Sequence, residues 1–456
     1  MHTPLLRLTA YALAMLASAF WAINPVAAQS VLRDAETEAL LRDMAAPLVE
    51  ASELEAGNVE IVLINDPSIN AFVAGGQTVY IHAGLLNAAD TANEVQGVIA
   101  HELGHITGGH VVRFEERTKT AQGISILSLL VGLGAALAGA GDAAMGAMMA
   151  GQRAALGSFL AFNRNQEAAT DLAGARYLSG AGISGRGMLS FFDKLRDQEI
   201  RHGYSQNDEA GYTRTHPLSG DRIQTLRGLL DQDPAWDKPD DPDLQQRFER
   251  VQAKLYGYLA EPQRTLTQYP ASDTTVPARY ARAYAYHKQA KIDDALAETE
   301  ALLALNPENP YFLELEGQIL LESGRPDDAL EPLRKATDLT LNEPLIAGLF
   351  GHALIATEDE ANFEEAERVL RAAVAKDRLN PFAWYQLGVV YAARGDMPRA
   401  KLASAEQQVM SQRYPEALRN AQAAEAGLPM GSPDWIRAQD VALQARAELE
   451  RMRDKR

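Results

Sequence analysis

The chain of 456 residues contains no cysteine. That absence removes thiol nucleophiles, thiolate zinc sites, disulfides and lipid attachment through cysteine. A tightly held zinc ion would have to be bound by histidine and carboxylate. Positive charge is also scarce: 43 Lys and Arg against 61 Asp and Glu leave a net charge of −18. Such a surface lacks the electrostatic footprint of a nucleic-acid binder, so nucleic acid is not an expected partner. Long apolar runs are confined to the N-terminus and to Ile124–Gly141. With 46% hydrophobic residues the rest reads as folded protein, long enough for about two or three domains.

The first apolar run, Ala10 to Ile23, follows Arg7 and precedes Pro25, Val26 and Ala28. This reads as a signal peptide, residues 1–28, cleaved after Ala28; the alternative is an uncleaved anchor, for which the run is short. Export without cysteine fits a bacterial periplasm. The second run, "ISILSLLVGLGAALAGAG", is uncharged and as a helix would be about 27 Å long, marginal for a bilayer core of about 30 Å. Three readings stand for residues 124–150: a buried helical hairpin, a lid or peripheral lipid contact near the active site, or a true span.

"DAETEALLRDMAAPLVEAS" spaces Leu40, Leu41, Met44 and Leu48 as one helix face. "NVEIVLIND" reads as a strand, and "SINAFVAGGQTVYIHAGLL" as a hairpin turning at Gly75-Gly76. The Pro- and Asp-rich stretch "DQDPAWDKPDDPD" opens a linker. Beyond it Ala295, Ala329, Ala366 and Ala400 recur at a period near 34 residues, with Gly317, Gly351 and Gly388 upstream of the last three. The extra residues of the longer middle unit fall in the turn "ATEDEANFEEA". This is the helix-turn-helix period of tetratricopeptide repeats, which stack into surfaces that bind other chains. The domains are therefore 1–28 signal peptide, 29–230 catalytic domain, 231–275 linker and connecting helix, and 276–456 repeat domain. The fold class is α+β: a mainly helical domain with a small β-sheet, then an all-α repeat solenoid.

"HELGHITGGH", residues 101–110, carries the chemistry. Four residues apart on a helix, His101 and His105 can aim at one ion, with Glu102 placed to hold its water. His110, five beyond His105, points to another face on a continuing helix and reads as an ordinary polar residue. Catalytic zinc usually has three protein ligands, so a third is required. "NRNQEAATDLAGARYL" puts Glu167 and Asp171 on one face, Glu167 able to ligate and Asp171 able to accept a hydrogen bond from a ligand imidazole; the bland alternative is a surface carboxylate pair. His216, before a proline in "THPLSGDRI", reads by itself as structural.

These four segments, in this order, resemble the HtpX and CAAX-protease zinc metallopeptidase family. With the N-terminal signal and the C-terminal repeats, the chain is similar to its BepA-like periplasmic branch. The resemblance implies one Zn²⁺ held by His101, His105 and Glu167, with Glu102 as base and Asp171 behind the ligands. It puts His216 and Arg222 close to the metal and the sheet edge at Asn70, Ala71 and Phe72 along the substrate groove. His216 could then stabilise an oxyanion or fill zinc's fourth position as a resting-state block, and the second is preferred. Gly109 departs from the family, where Arg is common. The implied function is an exported zinc endopeptidase of envelope quality control, acting on unfolded or stalled outer-membrane proteins and on their assembly machinery through the repeats. The alternative is a chaperone or scaffold with a shut or vestigial zinc site.

Overall fold

In the computed structural model the described residues are 30–110, 164–202, 216 and 220–454. Residues 1–28, read above as a signal peptide, and the segment 124–150 lie outside them. Among the described residues, no helix is long and apolar enough to cross a membrane.

α1 (Ala35–Ala51) starts where the Asp34 carboxylate accepts from the Thr37 backbone N–H, and it buries Leu40, Leu41, Met44 and Leu48. The sheet has four strands, β1 (Ser30–Val31), β2 (Glu60–Asn65), β3 (Ala71–Ala74) and β4 (Thr78–His82); the last three fall in the segments read as a strand and a hairpin. The sheet order is β1-β2-β4-β3, with β2 and β4 parallel and the β3–β4 hairpin turning at Gly75-Gly76. β3 is therefore an edge strand. After the short α2 (Ala83–Ala88), α3 (Ala92–Thr107) is buried along its whole length from Ala92 to Gly104. A helix buried on every face belongs at the centre of its domain. Around it pack α1, the sheet, a helix over residues 164–180, α4 (Arg186–His202) and α5 (Gly220–Leu230).

α6 (Pro242–Leu259), the connecting helix, sends Phe248, Val251 and Leu255 into this same core. After α7 (Pro262–Gln268) the repeats run as antiparallel pairs. These are α8 (Val276–Lys288) with α9 (Ile292–Leu305), α10 (Pro310–Glu322) with α11 (Pro326–Leu339), α12 (Pro344–Ala356) with α13 (Phe363–Lys376), and α14 (Pro381–Ala393) with α15 (Met397–Met410). α16 (Tyr414–Gly427) and α17 (Pro433–Asp454) close the stack. The recurring small residues sit where helices cross: Ala295, Ala329 and Ala366 are fully buried, and a Cβ on Gly317 or Gly351 would collide with Leu333 or Leu370. The longer unit holds its extra residues in a 3₁₀ turn at Glu360–Asn362.

The two parts meet through buried polar contacts that no local pattern announces. Lys254 of α6 lies 2.5 Å from Asp34 and 3.4 Å from Glu36. Arg250 donates to Glu36 at 2.5 Å, and the Tyr280 hydroxyl of α8 donates to the same carboxylate at 2.8 Å. Ala35 packs with Leu313, Ala336 and Ile346 of the repeats.

Candidate metal centre

The centre begins with how α3 is set. The Thr91 hydroxyl accepts from the Glu94 backbone N–H, capping the helix and fixing its first turn. Two turns on, His101 and His105 share a face, their Nε2 atoms 3.2 Å apart. The helix at 164–180 reaches them because glycine lets backbones touch. A Cβ on Gly104 would lie 2.9 Å from the Thr170 carbonyl oxygen, and one on Gly174 would lie 3.1 Å from the Ala100 carbonyl carbon. This approach carries Glu167 to 3.4 Å from His101 Nε2 and 3.5 Å from His105 Nε2.

His216 completes the cluster. Its Nδ1 lies 3.3 Å from His101 Nε2, 3.2 Å from His105 Nε2 and 3.2 Å from Glu167 Oε2. Three imidazole nitrogens 3.2–3.3 Å apart thus form a triangle, and the Glu167 carboxylate makes the fourth corner of a roughly tetrahedral figure, Oε2 lying 3.2 Å from His216 and 3.4 Å from His101 and Oε1 3.5 Å from His105. The centre of such a figure lies about 2.0 Å from each corner, the usual zinc–nitrogen distance, so donor chemistry and spacing both suit Zn²⁺. Glu102 is fully buried beside this cluster; neither carboxylate oxygen has a hydrogen-bond partner among the described residues, although His216 Nε2 lies 3.6 Å from Oε1, within ion-pair range. Burial pushes its pKa up, against the opposing pull of His216 and His101. An orphaned, desolvated carboxylate next to a metal-sized cage is what a proton acceptor for a bound water looks like.

Behind the cluster, His101 Nδ1 donates to Asp171 at 3.0 Å. Arg222 grips Asp171 with two hydrogen bonds, at 2.7 and 2.8 Å, and also reaches Glu167 at 3.2 Å. Burial would lower the His101 pKa, but Asp171 and Glu167 overcome it and push it up to about 9. Burial would raise the Glu167 pKa, yet His216 and His101 hold it far below the usual carboxylate range. His105 is driven well below the usual histidine range by burial and then by the neighbouring imidazoles. A cation at the centre would have its carboxylate ionised and His105 ready as a neutral ligand.

The fold also brings the expected sheet edge alongside: β3 packs against α3. Ala71 is buried in the core, so its side chain cannot line a groove; what that position can offer is backbone. Phe72 stacks on Tyr80 with ring centroids 5.0 Å apart, and the Asn70 carbonyl accepts from the His82 backbone N–H at 3.0 Å.

One residue departs from its sequence-based reading. His110 does not continue on another face of the helix. α3 ends at Thr107, Gly109 takes φ +61, and His110 Nδ1 comes to lie 3.0 Å from His105 Nδ1. The Gly108-Gly109 pair is a helix-stop signal that could have revealed this.

Comparisons with known proteins agree with this geometry. Residues 32–230 match the model of peptidase family M48, and residues 280–342 and 358–409 match a tetratricopeptide repeat model. The chain is similar to the beta-barrel assembly-enhancing protease of Escherichia coli K12, 26% identical over 379 residues that cover 81% of this chain and 75% of that protein. The protein of the same name from Yersinia pestis is 26% identical over 86% of this chain and 79% of its own length. The metalloprotease LoiP of Escherichia coli K12 is 30% identical over 179 residues, 39% of this chain and 64% of that protein.

Proposed function

Since the chain is a metalloprotease with a peptidase family M48 domain at residues 32–230 and tetratricopeptide repeats behind it, homologous to the beta-barrel assembly-enhancing proteases, we propose that it is an exported zinc endopeptidase. On this reading it works in the periplasm and cleaves unfolded or stalled outer-membrane proteins. The observation that carries the catalytic part is the tetrahedral set His101, His105, Glu167 and His216 beside the orphaned Glu102.

Zinc bound there supplies a Lewis acid and lowers the pKa of a water. Glu102, beside the ligand cluster, would accept a proton from the attacking water and return it to the leaving amine. Asp171, gripped by Arg222, holds His101 in the tautomer that leaves Nε2 for the metal. The edge strand β3, with Asn70 just before it and Ala71 and Phe72 in it, pairs with an extended substrate and presents its scissile bond. The repeats select the polypeptide and engage the outer-membrane assembly machinery.

His216 acts as a resting-state block. Its Nδ1 stands at the fourth corner of the cluster, where the attacking water has to sit, so catalysis requires the His216 side chain to withdraw. The scaffold alternative is disfavoured because every catalytic group of the motif is present. Casein cleavage tests the reading: the purified chain should hydrolyse it, lose activity to a chelator and regain it with Zn²⁺. Hydrolysis that persists after complete metal removal would refute it.

A further inference from the structure

Two imidazoles of the cluster come from one helix, yet they are held differently. His101 Nδ1 donates to a carboxylate, Asp171. Among the described residues, the neighbour on the Nδ1 side of His105 is not a carboxylate but His110 Nδ1 at 3.0 Å, with the rings edge to face at 76°. His105 Nε2 faces His101, His216 and Glu167. A neutral imidazole that ligates through Nε2 carries its proton on Nδ1, so that N–H points at His110. His110 must then receive it on an unprotonated Nδ1.

We propose that His110 is the positioning residue for His105: its Nδ1 accepts the His105 Nδ1–H and fixes the tautomer and ring plane that leave Nε2 for the metal. This rests on reading the cluster as a zinc site. Three independent features hold His110 in place. Gly109, at φ +61, turns the chain back. Gly108 leaves room for the ring, since a Cβ there would sit 2.7 Å from His110 Cε1 and closer still to Nε2. The Thr170 hydroxyl lies 3.1 Å from His110 Nδ1, on the helix that also carries Glu167 and Asp171. His110 thereby ties the two ligand-bearing helices together, and its 7% exposure keeps water from replacing it. Gly108 is what leaves the contact sterically open, and Gly109, the position that departs from the family pattern, supplies the positive φ.

Zinc affinity, measured on the full chain by competition with a chromogenic chelator, tests the proposal without reference to hydrolysis. His110→Leu fills similar space but offers no acceptor, and should weaken zinc binding about 10- to 100-fold. His110→Asn puts an amide oxygen near the position of Nδ1 and should recover most of the loss. Gly108→Ala leaves every polar group intact but displaces the ring, and should weaken binding like His110→Leu. Far-UV circular dichroism and the melting temperature of the metal-free variants establish that each is folded; should His110→Leu not fold, Gly108→Ala decides. Affinity equal to wild type in either variant, or His110→Asn no better than His110→Leu, overturns the inference. If wild type itself binds no zinc, the reading of the whole cluster falls with it, an outcome distinct from the first.

Discussion

His216 Nδ1 lies 3.2 Å from His105 Nε2, although 111 positions separate the two residues. That proximity makes His216 a ligand-like neighbour of the helix pair rather than a donor set back from it. As a block it should inhibit, so His216→Ala is expected to raise cleavage of a loosely folded reporter or promote self-cleavage. As an oxyanion donor it would lower turnover by about a hundredfold or more when removed. The opposite signs make the initial rate of casein hydrolysis a sufficient measurement.

Asp171 and Arg222 are both buried, at 3% and 8% exposure, and share two hydrogen bonds. Arg222→Met should release Asp171 and weaken zinc binding about 10- to 100-fold. Breaking a buried pair from one side should also cost about 3–5 kcal/mol of stability, because the remaining charge is left uncompensated. Chelator competition and urea unfolding of the metal-free protein read the two effects separately. Unchanged zinc affinity would show that Arg222 does not act through Asp171.

Lys254 tests the junction between the two parts. Its ammonium is 4% exposed and compensates Asp34 and Glu36, while Glu36 also receives Arg250 and Tyr280. Lys254→Met should cost about 3–5 kcal/mol, with Asp34 the group left exposed to the loss. Denaturant titration followed by tryptophan fluorescence would detect it. A midpoint equal to wild type would mean the contact contributes nothing.

Glu314 supplies a pH dependence. Burial pushes its pKa from 4.5 up to about 8; Lys254 opposes this, and Asp34, Glu343 and Glu36 reinforce it. The fold therefore favours the protonated form. Its contribution to stability is complete below pH 4.5 and is lost as pH rises through about 8. Glu314→Gln removes the titration at nearly constant shape. Its melting temperature should match wild type near pH 4.5 and exceed it at pH 9; a gap independent of pH would contradict this.

The catalytic groups on α3 were legible because their geometry is local: a four-residue spacing on a helix suffices for His101 and His105. Glu167 and Asp171 needed the motif upstream to give a common carboxylate spacing its meaning. The place of His110 is not legible from a helical wheel, because the helix stops at Thr107 and Gly109 takes a positive φ before it. The repeats were legible because a period recurs over many turns. The junction at Glu36, Lys254 and Tyr280 was not, because it depends on single residues far apart in the chain, each ordinary in its own segment. Close helix contact at Gly104 and Gly174 was hidden for the same reason.

The central claim is that His101, His105 and Glu167 hold the metal while Glu102 moves the proton. The most direct measurement is zinc content and casein hydrolysis on the same preparations of wild type, Glu102→Gln and Glu167→Ala. Glu102→Gln should keep about one zinc per chain yet lose hydrolysis, since the base goes while the ligands stay. Glu167→Ala should lose zinc and hydrolysis together. Zinc retained in full by Glu167→Ala, or hydrolysis surviving in Glu102→Gln, would contradict the account.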